Sequence, residues 1–338
     1  MSTLDSLLSS DVPEPPPGPD DDQPRLLSPG RSISDQTFRW GTRSAASVVL
    51  ILMGFIGLFL LLRATQALHK AGFGFLTEKR WLPDVGHFGI EAVFVGTVMI
   101  ALTALVIAVP ISFGAAIFIT DYAPRRLRRP LVSLVDLMAA IPSIVYGLWG
   151  LIFLQPHILS FANWLTHHLG FIPIFKTNKP DYTSSTFIAG VVVSLMVMPI
   201  ACSVMREVFS QAPQGEKEGA YALGATRWGV VKTVVLPWGR AGMVGATMLG
   251  LGRALGETIA VYLIISPIFE SPGRMIHIVQ GGGISISSLI ALRYGDSSSF
   301  GISALFAAGL VLFVATLIVN SLASLIVNRS RSGAATDI

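Results

Sequence analysis

Six stretches of this sequence, at 44–62, 92–120, 130–154, 184–205, 242–265 and 302–327, are apolar over most of their length. A helix rising about 1.5 Å per residue needs about 20 such residues to cross a hydrocarbon core of about 30 Å. Inside a bilayer every backbone N–H and C=O must be satisfied internally, which leaves helices or a closed barrel, and apolar runs of this length select helices. The chain is therefore expected to be an all-α, polytopic membrane protein of about six spans. Composition agrees: only 13% of the 338 residues are charged, where roughly a quarter is usual in soluble domains. This excludes a soluble enzyme, a DNA-binding domain and a secreted disulfide scaffold, and with Cys202 as the sole cysteine no intrachain disulfide can form. The net charge of +4 does not call for nucleic acid, because the basic residues form short clusters between apolar runs rather than one basic face.

Those clusters set an orientation. Of the 24 Lys and Arg, 15 lie before the first stretch, after the second, after the fourth and in the C-terminal tail, with Arg125, Arg126, Arg128 and Arg129 the densest group. Basic connections stay inside, so both termini are expected to be cytoplasmic in a plasma (bacterial inner) membrane, with lipid around the spans. The second stretch is long enough to tilt, project or bend at Pro110. Residues 155–175 lack Lys, Arg, Asp and Glu but contain His157, Trp164, His167 and His168, and read as an amphipathic segment at the outer interface. Pro142 and Pro199 are placed to kink the third and fourth spans.

Residues 1–40 are rich in Pro, Asp and Ser, with a triple proline at 15–17 and a triple acid at 20–22, and bury too little apolar surface to offset the entropy of ordering. They read as a disordered cytoplasmic tail ahead of a membrane domain at 41–328; 329–338 form a second short tail. In the outer connection 266–301, Gly281, Gly282 and Gly283 precede a Ser-rich stretch. Such a loop either presents backbone N–H groups to an anion or is only a flexible turn.

The connection 206–240 is far longer than a turn requires. Its sequence reads as one short helix ended by Gly224 and a second stopped by Pro237, a helix-turn-helix placed to meet a partner. Glu218, Gly219 and Ala220, then three residues, Gly224, nine residues and Val234, Val235, Leu236, Pro237 match E-A-A, three residues, G, nine residues, I-x-L-P. Only Gly219 and Val234 depart from it. This resembles the permease subunits of binding-protein-dependent ABC importers, the MetI-like type I class. In that family the loop couples the pore to a separate ATPase, and Glu218 offers a carboxylate to that partner, while small Ala220 and Gly224 allow close approach. No G-x-x-x-x-G-K-[ST] sequence occurs, so ATP hydrolysis is expected of another polypeptide, with no enzyme activity and no cofactor in this chain. No HExxH and no clustered metal ligands are seen either.

Arg253 and Glu257 interrupt the fifth stretch near its middle. On one helix they lie a turn apart on one face, and a charge at mid-bilayer costs about 2.5–3.5 kcal/mol, so they are expected to face a pore or partner helix. Asp136, nearer the Arg cluster, can pair there or reach the interface. The run GLGRALGETIAV at 250–261, AIPSIVYG at 140–147, and FGFL at 73–76 with Trp81, Phe88 and Gly89 resemble the phosphate-specific branch of the importer family. The last of these favours one of that branch's two sister permeases over the other. The resemblance implies a second, related permease subunit, an ATP-binding cassette ATPase dimer and an extracytoplasmic phosphate-binding protein as partners. It further implies Arg253, Glu257 and Thr258 along the substrate pathway, and Glu218, Gly219, Ala220, Gly224, Leu236 and Pro237 in ATPase coupling. The rival readings are an importer of another oxyanion, sulfate or molybdate, and a passive anion channel, which has no use for the long coupling loop.

Overall fold

The structure, a computed structural model, describes residues 33–177, 182–265 and 277–331. Among them six helices are long and apolar enough to cross a membrane. α1 (Ile33–Ala71) is followed by the one-turn α2 (Gly74–Thr77) and a small hairpin of β1 (Trp81–Leu82) and β2 (His87–Phe88). α3 (Glu91–Ile117) is extended by a π-turn at Phe118–Tyr122. After α4 (Arg125–Ala140), α5 (Ser143–Trp149), a π-turn at Gly150–Leu154 and α6 (Gln155–Leu169) run on as one span. α7 (Thr186–Ser210) leads to α8 (Gln214–Ala222) and then α9 (Arg227–Val230), which passes through a π-turn at Val231–Val235 into α10 (Leu236–Gly256). The short α11 (Ile259–Ile264), α12 (Ile286–Arg293) and the final α13 (Ser299–Arg331) complete the chain.

The third span differs from the expected 130–154 and occupies Ser143–Leu169. Pro142 lacks an N–H and disfavours helical backbone in the residue before it, and Ile141 accordingly sits at φ −67°, ψ 128°. The chain therefore breaks there. The basic cluster heads the separate, amphipathic α4, none of whose residues is buried. Residues 155–169, expected as a separate segment at the interface, instead continue the helical rod that begins at Ser143. Pro237 does not stop its helix, since Arg227–Gly256 is one continuous rod. The π-turn immediately before it places the proline in the first turn of α10, where a missing N–H is tolerated. Pro110 and Pro199 also lie inside unbroken helices. The tail expected at 1–40 is helical from Ile33 onward, and its residues 1–32 lie outside the described residues, as do 332–338 of the C-terminal tail.

The residues cluster as two units, Met1–Gly54 and Phe55–Ile338. In the first, Val48, Leu50 and Ile51 of α1 stand exposed. The second holds the core. α3 and α7 pack along one another, and α10 lies against α7, α13 and α3. Ala101, Ala104, Ala108, Ala189, Val192, Val193 and Val197 fill the α3–α7 seam. Small side chains dominate because helix association in lipid depends on close backbone approach and dispersion rather than on escape from water. Exposed apolar side chains such as Phe153, Ile152, Ile318 and Leu325 give the outside of this unit the character a bilayer covers.

Residues 277–285 are neither an exposed turn nor a solvated loop. Ile278, Val279, Gln280 and Ile284 are buried, and the segment is tied in where Phe187 N–H donates to Ile278 O (2.7 Å) and Ile278 N–H to Ile174 O (3.1 Å). It presses on α3 at Gly96, where a Cβ would overlap the Ile284 carbonyl oxygen. The chain re-enters the bundle here, and α12 starts from within it.

Candidate functional site

The fifth span is discontinuous. α10 ends at Gly256, Glu257 is extended (φ −67°, ψ 123°), and α11 begins at Ile259. Irregular backbone at membrane depth is tolerated only where its polar groups find partners, and the break supplies several. The Thr258 hydroxyl donates to Gly256 O (3.1 Å), Ser287 Oγ donates to Glu257 O (2.7 Å), and Tyr262 N–H donates to Thr258 O (2.9 Å). The Glu257 carboxylate accepts from Ala260 N–H (3.4 Å), at the N-terminus of α11 where a negative charge is favoured.

A group of hydroxyls around the start of α12 supports the break. Ser285 and Ser288 cap α12 reciprocally, Ser285 N–H to Ser288 Oγ (3.0 Å) and Ser288 N–H to Ser285 Oγ (3.1 Å). Ser285 and Ser287 hydroxyls are 3.1 Å apart, and Ile286 N–H donates to Thr97 Oγ1 of α3 (2.9 Å). Gln280, buried within the re-entrant segment, keeps its Oε1 without a partner among the described residues. Ser285, Ser287, Ser288 and Thr97 do not stand out in the sequence. The signal is present in the Ser-rich run after the triple glycine, but nothing local tells a buried capping box from a solvated loop.

The expectation that Arg253 and Glu257 share one helix face is overturned, because the helix ends between them. Glu257 is 8% exposed, whereas Arg253 is an exposed residue of this chain and forms no ion pair among the described residues. The Tyr146 hydroxyl of α5 donates to Met138 O (2.9 Å) and so secures the end of α4. Thr258 is half-buried between the two helices. Asp136 does not pair with the Arg cluster; it accepts a 3.5 Å hydrogen bond from Ser203 Oγ, joining α4 to α7.

At the other end of the span, α8 carries Glu218, Gly219 and Ala220. Glu218 and Gly219 are exposed, and Glu218 accepts from Gln214 Nε2 (3.1 Å). Gly224 has φ +83°, with Gly224 N–H donating to Tyr221 O (2.9 Å) and Ala225 N–H to Ala220 O (3.0 Å). These two bonds form a Schellman cap, so within this chain the spacing from Ala220 to Gly224 serves helix termination. Thr226 then caps α9 by accepting from Gly229 N–H (3.1 Å). Leu236 is half-buried and Pro237 exposed, next to Val231 and Val235, which pack on Met205 and Phe209 of α7. Leu223 projects outward at 91% exposure, with Tyr221 and Trp228 also exposed, an unusual display of large apolar groups beside a carboxylate.

The family of binding-protein-dependent transport system inner membrane components matches residues 108–332. Phosphate transport system permease protein PstC 2 of Mycobacterium tuberculosis is 40% identical over 305 residues, covering 88% of this chain and 93% of that protein. Phosphate transport system permease protein PstC of Haemophilus influenzae is 40% identical over 316 residues, covering 90% and 98%. In fold, the chain is similar to a crystal structure of a bacterial ABC transporter involved in the import of the acidic polysaccharide alginate, with TM-score 0.50 and 16% identity over 87% of this chain and 99% of the other. By its sequence along nearly its whole length, the chain belongs to the binding-protein-dependent transport system inner membrane components, among the PstC permease proteins.

Proposed function

We propose that the chain is the transmembrane permease subunit of an ATP-driven importer that carries inorganic phosphate across the plasma membrane. The observation that carries the reading is 40% identity to phosphate transport system permeases over 88–90% of the chain. The broken fifth span supports it physically, since half-helix ends and unwound backbone near the membrane midplane are where transporters hold ions. Arg253, free of an ion pair within the described chain, supplies the positive charge for the anion in transit, and Glu257 and Thr258 line its passage.

The subunit belongs to an ABC transporter complex with ATPase and permease partners. The finer assignment is a PstA-like sister permease completing the pore, an ATPase dimer under the exposed face of α8, and an extracytoplasmic phosphate-binding protein above. Both termini and the basic start of α4 lie on the cytoplasmic side by the charge rule. ATP hydrolysis is the partner's, and this chain has no enzymatic role. Closing the ATPase dimer moves α8, and the nucleotide acts on the pore only through its different affinity for the two access states.

Uptake of labelled phosphate by cells expressing the four subunits tests the reading. Uptake that requires ATP and resists excess sulfate and molybdate is expected. Competition by sulfate or molybdate assigns the permease to another oxyanion, and uptake without ATP makes it a passive pore.

A further inference from the structure

The coupling segment reaches the break at Glu257 by two routes. One is covalent: α9 and α10 form an unbroken rod, Arg227–Gly256, that ends on Glu257. The other runs through α3. Lys217 of α8 forms an ion pair with Asp121 in the π-turn at the end of α3, Nζ to Oδ1 3.3 Å, with the two side chains only 12% and 16% exposed. Glu91–Tyr122 is continuous, and from Asp121 to Thr97 it spans about 36 Å. At that far end Thr97 Oγ1 accepts from Ile286 N–H, Gly96 abuts the Ile284 carbonyl, and the next residue, Ser287, grips the carbonyl of Glu257. The two routes therefore converge on one residue, Glu257.

The joint at the α8 end is not designed for stability alone. Asp121 Oδ2 and Thr120 Oγ1 are both buried without a hydrogen-bond partner among the described residues. A largely shielded ion pair that leaves acceptors idle is a poor bargain against apolar packing, and such pairs are best explained where they fix a register or take part in a switch. The spare carboxylate oxygen lets the Lys217 ammonium pass from Oδ1 to Oδ2 when α8 shifts, without leaving the carboxylate unpaired.

We propose that Lys217 and Asp121 are positioning residues that drive α3 as a second transmission rod, so that displacement of α3 relative to α10 opens and closes the backbone break at Glu257 and Thr258. This rests on the importer reading given above. Lys217 faces α3 rather than the exposed side of α8, so its role is separate from docking the ATPase.

The test uses the complete complex, with sister permease, ATPase and binding protein, in proteoliposomes. Lys217→Ala, Asp121→Asn and the exchanged pair Lys217→Asp with Asp121→Lys are compared with wild type. Copurification of the ATPase, ATP hydrolysis and labelled phosphate uptake are measured together. Both single variants are expected to assemble and hydrolyse ATP, while phosphate delivered per ATP falls about fivefold or more, the low end of site-to-site coupling. The exchanged pair is expected to recover most of that loss. If Lys217→Ala fails to assemble, Lys217→Gln replaces it, with the same expectation. Unchanged phosphate per ATP in the single variants overturns the proposal, as does an exchanged pair that stays at the single-variant level. A wild-type complex that moves no phosphate refutes the importer reading instead, and fivefold uncoupling of whichever oxyanion it does move still upholds the rod.

Discussion

Ser287 donates a 2.7 Å hydrogen bond to the backbone carbonyl of Glu257, so a side chain from the first turn of α12 occupies the acceptor that the broken fifth span leaves free. Had the helix continued, that carbonyl would face an N–H one turn on. Both residues are 8% exposed, which removes water as a substitute partner. The break is thus maintained by a residue 30 positions away, and the hydroxyl that holds it belongs to a segment that also touches α3.

Replacing Ser287 by Ala is expected to leave the Glu257 carbonyl unsatisfied, at about 1–3 kcal/mol for a buried acceptor. Phosphate uptake should fall while the complex still forms, and Ser287→Thr, which restores a hydroxyl, should recover uptake. Equal uptake by Ser287→Ala and wild type would show that the break does not depend on this bond.

The spans are legible in sequence because about 20 apolar residues can do little else, and the six-helix architecture follows from that alone. What is not legible is where a span begins when a proline divides an apolar run. Read locally, Pro142 kinks a span from 130 to 154, yet it separates amphipathic α4 from α5, because nothing local distinguishes a tolerated proline such as Pro199 from one that ends a helix. The spacing of Ala220 and Gly224 points to the family, but its mechanical meaning, a Schellman cap, requires the backbone. The relation of Arg253 to Glu257 is hidden for the same reason: four residues are one turn only if the helix continues, and Gly256 is where it stops.

Gly96→Ala tests the packing of the re-entrant segment on α3. The added Cβ meets the Ile284 carbonyl oxygen, a backbone atom that cannot swing aside, so overpacking should cost about 1–3 kcal/mol. Gly114→Ala on the same helix has nothing within 4 Å of its Cβ and serves as the control. In detergent, thermal unfolding of the complex should shift down for Gly96→Ala and remain unchanged or rise for Gly114→Ala. The reverse order would contradict this placement of residues 277–285.

Arg253→Ala should leave copurification with the partners intact, since Arg253 holds no ion pair within the described chain, yet reduce phosphate uptake. A hydrogen bond to a charged group contributes about 1.5–3 kcal/mol, so the loss at limiting phosphate should be about tenfold or more. Arg253→Lys keeps the charge but loses the planar fork and should recover only part of the rate. Loss of assembly together with uptake would instead make Arg253 a helix lock, and full uptake by the Ala variant would remove it from the pathway.

The end of α8 offers the sharpest contrast, because two glycines five residues apart should respond in opposite ways. Gly219 lies within α8, exposed, with nothing within 4 Å of an added Cβ, and Ala there restores the family's usual residue while adding up to about 1 kcal/mol of helix propensity. Gly224 sits at φ +83°, where an L side chain costs about 1–2 kcal/mol. Its strain would loosen the cap formed by Ala220 and Tyr221 carbonyls and misdirect the chain entering α9. Copurification of the ATPase should therefore be retained or improved by Gly219→Ala and weakened by Gly224→Ala, with Gly224→Asn intermediate because Asn tolerates the left-handed region better than Ala. If Gly224→Ala binds the ATPase as wild type does, the cap is not what shapes the docking surface, and the spacing from Glu218 to Pro237 must be explained by contacts with the partner itself.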